Sequence, residues 1–512
     1  MTTERLIYLP LGGAGEIGMN AYVYGYGAPG KERLILVDIG VAFPDMDSTP
    51  GVDLIFADIS WLEERRDRLE AVFITHAHED HVGAIGHLFE RLGGPKVYAR
   101  AFTANIARGK LAEYGIGDNA VTVANAWPDQ IKAGPFNISF LPISHSIPES
   151  SALVIDSPEG RVIHTGDFKL DTDPVVGDPF DEDLWREVSA PGVRALVCDS
   201  TNVFTTYPGR SEVIVGPEIT KLVNQSTGMF VATTFASNVS PEDATNIPRE
   251  NLMLIVTGSQ GERRAASASL SRGKHLGIEL KEGDTFLFSS KTIPGNEKEV
   301  IRIINNFSEI GVDVVDDTSG LYHVSGHANG PDLERMHDIV NPQIVVPMHG
   351  EHRHLRQHTK LAEQKRRKGV LAVNGTMVSL SGNAPEVVDY VETGRTYLDG
   401  SVQVGALDGV IRDRIRMALN GHVTVTVVLD EQDEPLGDPW CDLMGLPELG
   451  RSHAPLRDVL EEDLGQFLNR AGPATLTDDD KIEESLRRIV RQSSQNEIGK
   501  KPEVTVVVSR LT

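Results

Sequence analysis

One six-residue run constrains this chain more than any other: His76-Ala77-His78-Glu79-Asp80-His81, directly after the apolar stretch AVFIT. A short run of Val, Phe and Ile reads as a buried strand, and the histidines then sit at its end. If extended geometry persists past the strand, His76 and His78 point to the same side. Asp80 and His81 can then turn towards a second position, so the run can fan its ligands around a pair of metal ions. Packing gives no reason to gather so many ionisable groups at one strand end, because burying them unpaired is costly. The run predicts a metal centre at the rim of a sheet.

The chain has 512 residues, too many for one hydrophobic core, and three or so domains are expected. Up to Asp199 it reads as short strands: RLIYLPL, NAYVYGYG, RLILVDIG, AVFIT, KVYA, ISFLPIS, SALVID and RVIHTGD. Helical patterns such as VGAIGHLFERLG and TANIARGKLAEYG fall between them, which predicts two packed sheets with helices outside. From Ala195 strands and helices alternate, from ALVCDS and MFVATT through EKEVIRIINNF to VDVVDD. That βαβ pattern predicts a parallel sheet and a second domain. The first style returns with PDLERMHDIVNPQIVVPMHG, so the second domain reads as an insertion. The expected parts are 1–203 and 331–390 for the first domain, 204–330 for the insertion, 391–410 for a polar linker and 411–512 for a third unit.

The composition, 40% hydrophobic and 24% charged, is that of soluble globular proteins. No apolar run approaches the ~20 residues needed to span a membrane. The start, MTTERLIYLPLGG, lacks the features of a signal peptide, and the two cysteines, Cys198 and Cys441, imply no disulfide framework. A reducing cytoplasm is the expected compartment. A net charge of −25 argues against a polyanionic partner, but nucleic-acid affinity depends on local cationic grooves. Basic groups cluster at Arg263-Arg264, Lys291, Arg353 with Arg356, and Lys365 to Lys368, the last reading as a solvated helix face. Charge alone leaves the partner open. Gly13-x-Gly15-x-x-Gly18 is literally a dinucleotide fingerprint, but the segment after it, AYVYGYG, alternates like a strand. Without a helix to receive a pyrophosphate, a tight turn near the site is the better account.

Two further residues follow strands in order: His145 in ISFLPISHSIPES and Asp167 in RVIHTGDFKL. With HxHxDH they make the chain resemble the metallo-β-lactamase superfamily. Three more motifs narrow the resemblance to its β-CASP group of nucleic-acid hydrolases: ALVCDST with Asp199, HVSGHAN with His327 and VVPMHGE with His349. LGGAGEIGMN, TTFASN, LIVTGSQGE, IPGNE, HVSGHA, PMHGE and the final GKKPEVTVVVSR look like the bacterial ribonuclease J family. The resemblance runs from about Leu6 to the end.

The resemblance implies an αββα metallo-β-lactamase sandwich with an inserted β-CASP parallel α/β domain and a small C-terminal α/β domain. It assigns His76, His78 and His145 to one ion and Asp80, His81 and His349 to another, with Asp167 bridging. Such mixed ligands suit two Zn²⁺ ions, and Mn²⁺ is the alternative. His327 lies outside that set and is the candidate for protonating the leaving oxygen, with Asp199 orienting it. The loop His323, Val324, Ser325, Gly326, His327 and Ala328 offers N–H groups and a hydroxyl as an anion cradle. With Ser237 and Asn238 it resembles the family's pocket for a 5′-terminal phosphate. The implied activity is 5′-to-3′ exonuclease action on single-stranded 5′-monophosphorylated RNA in RNA maturation and mRNA decay. Internal cleavage and homodimers or homotetramers are also known in the family. The resemblance has a gap: SNV passes at once into SPEDATNIPREN, and family elements of some tens of residues are absent. Losing a strand–helix piece should leave unpaired sheet edges, which favours an omission from the sequence over a natural loss. Ala77, where many relatives carry Gly, removes no ligand.

Three other readings compete. A small-molecule hydrolase of the superfamily explains HxHxDH but neither the insertion nor HVSGHA. A β-CASP DNA nuclease differs only in its sugar. A catalytically dead RNA-binding scaffold would lack a ligand, whereas all seven are present.

Overall fold

Alternate residues of the first strands face opposite ways, and both faces are buried. Leu6 and Tyr8, Tyr22 and Tyr24, Ile35 and Val37 point into one core with Phe136, Ile138 and Phe140, Leu153 and Ile155, and Val197. Their alternates in the second half, among them Ala152, Val154, Ile163, Leu196 and Cys198, pack under a different layer containing Trp185, Val188, Leu333 and Met336. Those four residues come from the helices Glu182–Ser189 and Gly330–Val340. A two-residue period buried on both faces requires a sheet with a layer on each side. The computed structural model describes residues 4–511 except 46, 212–228, 234–236, 240–243, 245, 264, 293–295, 317 and 319–322. The chain forms two compact units, Met1–Phe43 with Leu54–Thr396, and Pro44–Asp53 with Tyr397–Thr512.

In the first unit an eight-stranded sheet runs in the order Glu386–Tyr390, Thr376–Ser379, Arg5–Gly12, Ala21–Gly27, Arg33–Val37, Leu69–Phe73, Val97–Ala99, Val121–Val123. The facing seven-stranded sheet runs Ile131–Ala133, Phe136–Pro142, Ser151–Ser157, Gly160–His164, Ala195–Asp199, Ile344–Met348, Lys368–Gly369. This is the metallo-β-lactamase αββα arrangement. The expected insertion explains the second sheet: Ala195–Asp199 pairs in parallel with Ile344–Met348, Asp199 opposite Met348. The chain leaves the sheet at Asp199 and returns to the adjacent position, which brings Asp199 and His349 together.

Within the excursion both strand directions occur. Thr285–Leu287 pairs in parallel with Asp313–Val315, as the alternating pattern predicts. Met229–Thr233, however, pairs antiparallel with both Ser237–Val239 and Leu252–Val256. A link as short as that between Thr233 and Ser237 cannot make the crossover a parallel pair needs, so the first pairing has to be antiparallel. The helix Glu297–Glu309 packs Val300, Ile303 and Phe307 into a core of its own with Phe288 and Val312.

In the second unit VTVTVVL alternates buried and half-buried residues along His422–Leu429, which lies between Trp440–Met444 and Glu503–Arg510. Leu460 and Leu464, and Ile482, Leu486 and Val490, cover the sheet at the four-residue spacing of helix faces. The stretch 391–410, expected as a linker, carries the strands Arg395–Asp399 and Val402–Gly405. No helix among the described residues is long and apolar enough to cross a membrane.

Candidate metal centre and active site

Strand ends supply every group of the site except His327. HAHEDH follows Leu69–Phe73, and its last part winds into the short helix Glu79–Val82, which turns Asp80 and His81 inward. His145 follows Phe136–Pro142, Asp167 follows Gly160–His164, Asp199 ends Ala195–Asp199, and His349 follows Ile344–Met348. His327 stands in the loop that enters the helix Gly330–Val340. Two glycines make room. A Cβ on Gly40 would lie 1.6 Å from the carbonyl oxygen of Asp80, and one on Gly326 would lie 2.7 Å from His145.

Among the described residues the donor atoms converge in three overlapping groups that share Asp167: His76, His78 and His145; Asp80, His81 and His349; and Asp199, His327 and His349. In the first, Nδ1 of His78 lies 3.0 Å from Nε2 of His76 and 3.1 Å from Nε2 of His145. In the second, Nε2 of His81 is 3.1 Å from Oδ2 of Asp167, and Nε2 of His349 is 3.1 Å from Oδ2 of Asp80. One proton cannot satisfy three ring nitrogens that face one another, whereas a cation among them does. Oδ1 of Asp167 is also buried without a hydrogen-bond partner, although Nδ1 of His349 lies 3.3 Å away.

The outer nitrogens are held so that the inner ones stay free. Nδ1 of His145 donates to the carbonyl of Gly326 at 2.6 Å, and Nδ1 of His81 donates to Asp38 at 2.7 Å. Nδ1 of His76 meets the hydroxyl of Thr75 at 3.0 Å, and that hydroxyl donates to Asp38. Nδ1 of His349 meets the hydroxyl of Thr201 at 2.9 Å, and that hydroxyl donates to Asp199. In both threonine pairs the hydroxyl proton is already committed, so the histidine donates from Nδ1 and Nε2 is the nitrogen left facing inward. Asn20 donates to the carbonyl of Asp80 at 2.9 Å and is itself gripped by the hydroxyl of Tyr22 at 2.7 Å. Held outer nitrogens and free inner ones are the usual preparation of a metal site.

Charge supports the same fit. Burial pushes His145 down to about 3 and His76 well below its ordinary value, which leaves both neutral and able to ligate. Burial would raise Asp167, but His349 and His81 hold it well below the carboxylate range. Burial would likewise lower His349, yet Asp167, Asp199 and Asp80 lift it to about 10. Three carboxylates, Asp80, Asp167 and Asp199, face this one space, and Asp38 backs it from behind His81, an arrangement that favours a cation there. His327 belongs to the third group, its Nδ1 2.8 Å from Oδ2 of Asp199 and 4.0 Å from Oδ2 of Asp167.

The loop expected as an anion cradle lies beside His327. Ser325 is half-buried, Gly326 packs on His145, and Ala328 points into the hydrophobic layer under the second sheet. His323 and Val324 are half-buried at its start. Ser237 and Asn238 belong to the strand Ser237–Val239, their side chains lying outside the described residues, as does Arg264. The sequence reading did not single out Asp38, Thr75, Thr201 or Asn20. An acid ending the strand pattern RLILVDIG was a usable signal for Asp38; the others carry no pattern of their own. Gly13, Gly15 and Gly18 all have positive φ, and a strand, Ala21–Gly27, follows them, as the rejection of a dinucleotide site required.

Family models match four parts of the chain: the metallo-beta-lactamase superfamily over 15–205, the beta-CASP domain of ribonuclease J over 203–307, the Zn-dependent metallo-hydrolase RNA specificity domain over 312–373 and the ribonuclease J C-terminal domain over 409–511. The chain is 38% identical to ribonuclease J of Sinorhizobium meliloti, with 99% of this chain and 98% of the relative covered. That alignment spans 558 positions against 512 residues here, so the relative carries tens of residues without a counterpart. Ribonuclease J of Mycolicibacterium smegmatis is 33% identical over 94% of this chain and 93% of its own length. Ribonuclease J of Thermus thermophilus is 30% identical over 84% and 83%.

Proposed function

Since the chain belongs to the ribonuclease J family, and is a metal-dependent ribonuclease of metallo-β-lactamase fold with a β-CASP domain, we propose that it degrades single-stranded RNA from a 5′-monophosphorylated end. The observation that supports the reading is that the loop Ser325 to His327, which would serve as an anion cradle, lies directly against His145 and carries the His327–Asp199 pair. A cradle so close to the cutting centre accepts an end, and each cut exposes the next 5′-phosphate. Internal cleavage needs no end and remains open to the same centre.

His76, His78 and His145 would hold one ion and Asp80, His81 and His349 another, with Asp167 shared; the donor set suits Zn²⁺, with Mn²⁺ as the alternative. When bound, such a pair supplies Lewis-acid stabilisation of a phosphate and a water acidic enough to attack it near neutral pH. The protein's own part begins with His327. Burial opposes its protonation, but the charges of Asp199 and Asp167 outweigh burial and raise its pKa. Protonated and oriented by Asp199, it donates to the sugar oxygen that leaves phosphorus. The same reading has it act in the cytoplasm as a homodimer or homotetramer, supported by the family resemblance and checked by light scattering of the purified protein.

The test uses one RNA sequence carrying a 5′-monophosphate or a 5′-triphosphate. The monophosphate form should be degraded faster, to mononucleotides, and chelation should stop it. Ser325→Ala should narrow the preference by removing one hydrogen bond to a charged group, worth about 1.5–3 kcal/mol. Equal rates and equal product ladders from both ends would replace this reading with an endonuclease.

A further inference from the structure

The helix His352–Gln364 follows His349 almost at once and so starts at the metal centre. The strand before it, Ile344–Met348, and the strand after it, Lys368–Gly369, pair in parallel. A helix joining two parallel neighbours runs back along the outside of the sheet, so this one leads away from the rim that carries the centre. His354, Leu355, His358, Leu361 and Ala362 form its buried face. Arg353, Arg356 and Lys360 lie together on the exposed side, at the helical spacing that makes neighbours, spread over about 10 Å of helix.

The cations of this stretch fall into two kinds. At the far end Lys365 lies 3.4 Å from Glu334 and Arg367 lies 2.8 Å from Asp338, so that run is neutralised, as a solvated face should be. Arg356 and Lys360, by contrast, have no acid partner among the described residues. Arg353 reaches Glu351 with its Nε at 2.7 Å, and its guanidinium carbon stands 5.8 Å from the centre of the Phe204 ring. Phe204 is 51% exposed, with the His354 ring centre 5.5 Å from its own. In a chain whose net charge is −25, a row of cations without acids is the exception. Next to an open aromatic face it has the chemistry that holds single-stranded nucleic acid, where bases stack on rings and phosphates follow the positive groove.

We propose that Phe204, Arg353, Arg356 and Lys360 form a track for the RNA chain beyond the nucleotides at the metal centre. A base stacks on the open part of Phe204, and successive phosphates meet the three cations. The inference rests on the chain being a ribonuclease and is independent of which end or bond of the RNA the centre selects.

The experiment takes initial rates of the full zinc-loaded chain on two oligoribonucleotides with the same 5′-monophosphate, one of about 4 nucleotides and one of about 20. The wild type should show the lower KM on the longer RNA. Arg356→Gln with Lys360→Gln should raise that KM about tenfold and leave kcat and the short substrate unchanged. It should also flatten the plot of log KM against log salt by about 1.4, at roughly 0.7 for each lost phosphate contact. Phe204→Leu should raise the KM of the long RNA without changing the salt slope. Arg356→Lys with Lys360→Arg should match the wild type, because the phosphates meet the charge. One KM for both lengths in the wild type, or a double glutamine variant unchanged on long RNA, would overturn the track. Equal losses on both lengths would overturn it too, because the cations would then support the centre itself. The 5′ end is held constant throughout, so a failure of the end-selective reading leaves this result standing.

Discussion

His76, His81, His145 and His349 each spend one ring nitrogen on a protein partner, and that contact aims the other. Asp38 is the clearest case, because its carboxylate takes Nδ1–H of His81 and the hydroxyl and backbone N–H of Thr75 at once. Asp38→Asn keeps the shape but can present an N–H to His81, which favours the wrong tautomer. Metal affinity should fall by about 10–100-fold, the usual cost of losing such a partner, as read by competition with a zinc-binding dye. Unchanged affinity would show that Asp38 does not set the tautomer. His327 makes the opposite prediction. The family resemblance leaves it outside the metal ligands although its Nδ1 converges with Asp167, Asp199 and His349, so on that reading His327→Ala should keep its metal while kcat drops by ~10²–10⁴. Metal content by mass spectrometry decides the point: loss of metal in step with activity would move His327 among the ligands.

At the scale of elements, strand ends and tight turns do the positioning. The peptide after His349 begins another strand only because His349 itself adopts φ +48, a left-handed conformation costly for a residue with a Cβ. The hydroxyl of Thr201 grips its side chain, which helps to hold that conformation. The loop at Gly326 has less latitude. A methyl group there meets the His145 ring at 2.7 Å and the hydroxyl of Ser146 at 2.7 Å, so Gly326→Ala must push the loop or the ligand aside. Gly326→Ala should therefore weaken metal binding and slow cleavage together, with the overall melting transition little changed. Full metal occupancy at wild-type affinity would mean that the loop, and not His145, gives way.

Across the whole molecule, acid sensitivity should exceed what the carboxylates alone cause. His337 and His358 face each other under the second sheet with Nε2 atoms 3.0 Å apart, and Nδ1 of His358 lies 2.9 Å from the hydroxyl of Ser200. Burial pushes His358 down to about 4 and His337 well below its ordinary value. Unfolded histidine titrates near ~6.5, so between those values the unfolded chain binds protons that the folded chain refuses. Stability therefore falls as pH drops from about 6.5 towards 4, by up to about 3 kcal/mol for His358. His337→Leu removes one of the two refusals. Urea midpoints should fall less between pH 7 and pH 5 in that variant than in the wild type, and equal falls would show that His337 contributes nothing to the slope.

By itself the sequence pointed to the histidines and acids that converge at the centre, and to the strand-rich first part of the chain, because each is written in one dimension. Histidines and acids at strand ends are rare types in rare places, and a two-residue apolar period survives without a partner sheet. The same holds for the glycine turn, where an alternating segment in place of a helix was enough to dismiss a nucleotide site. Tertiary structure alone decided the rest. Thr75, Thr201 and Asn20 are ordinary polar residues whose roles arise from contacts of about 3 Å between distant segments, such as the 148 positions separating Thr201 from His349. Strand direction at Met229–Thr233 depended on how far a short link can reach. A hydrogen bond is lost within a fraction of an ångström, so a residue whose function is to accept or donate one becomes legible only when the fold has placed its partner.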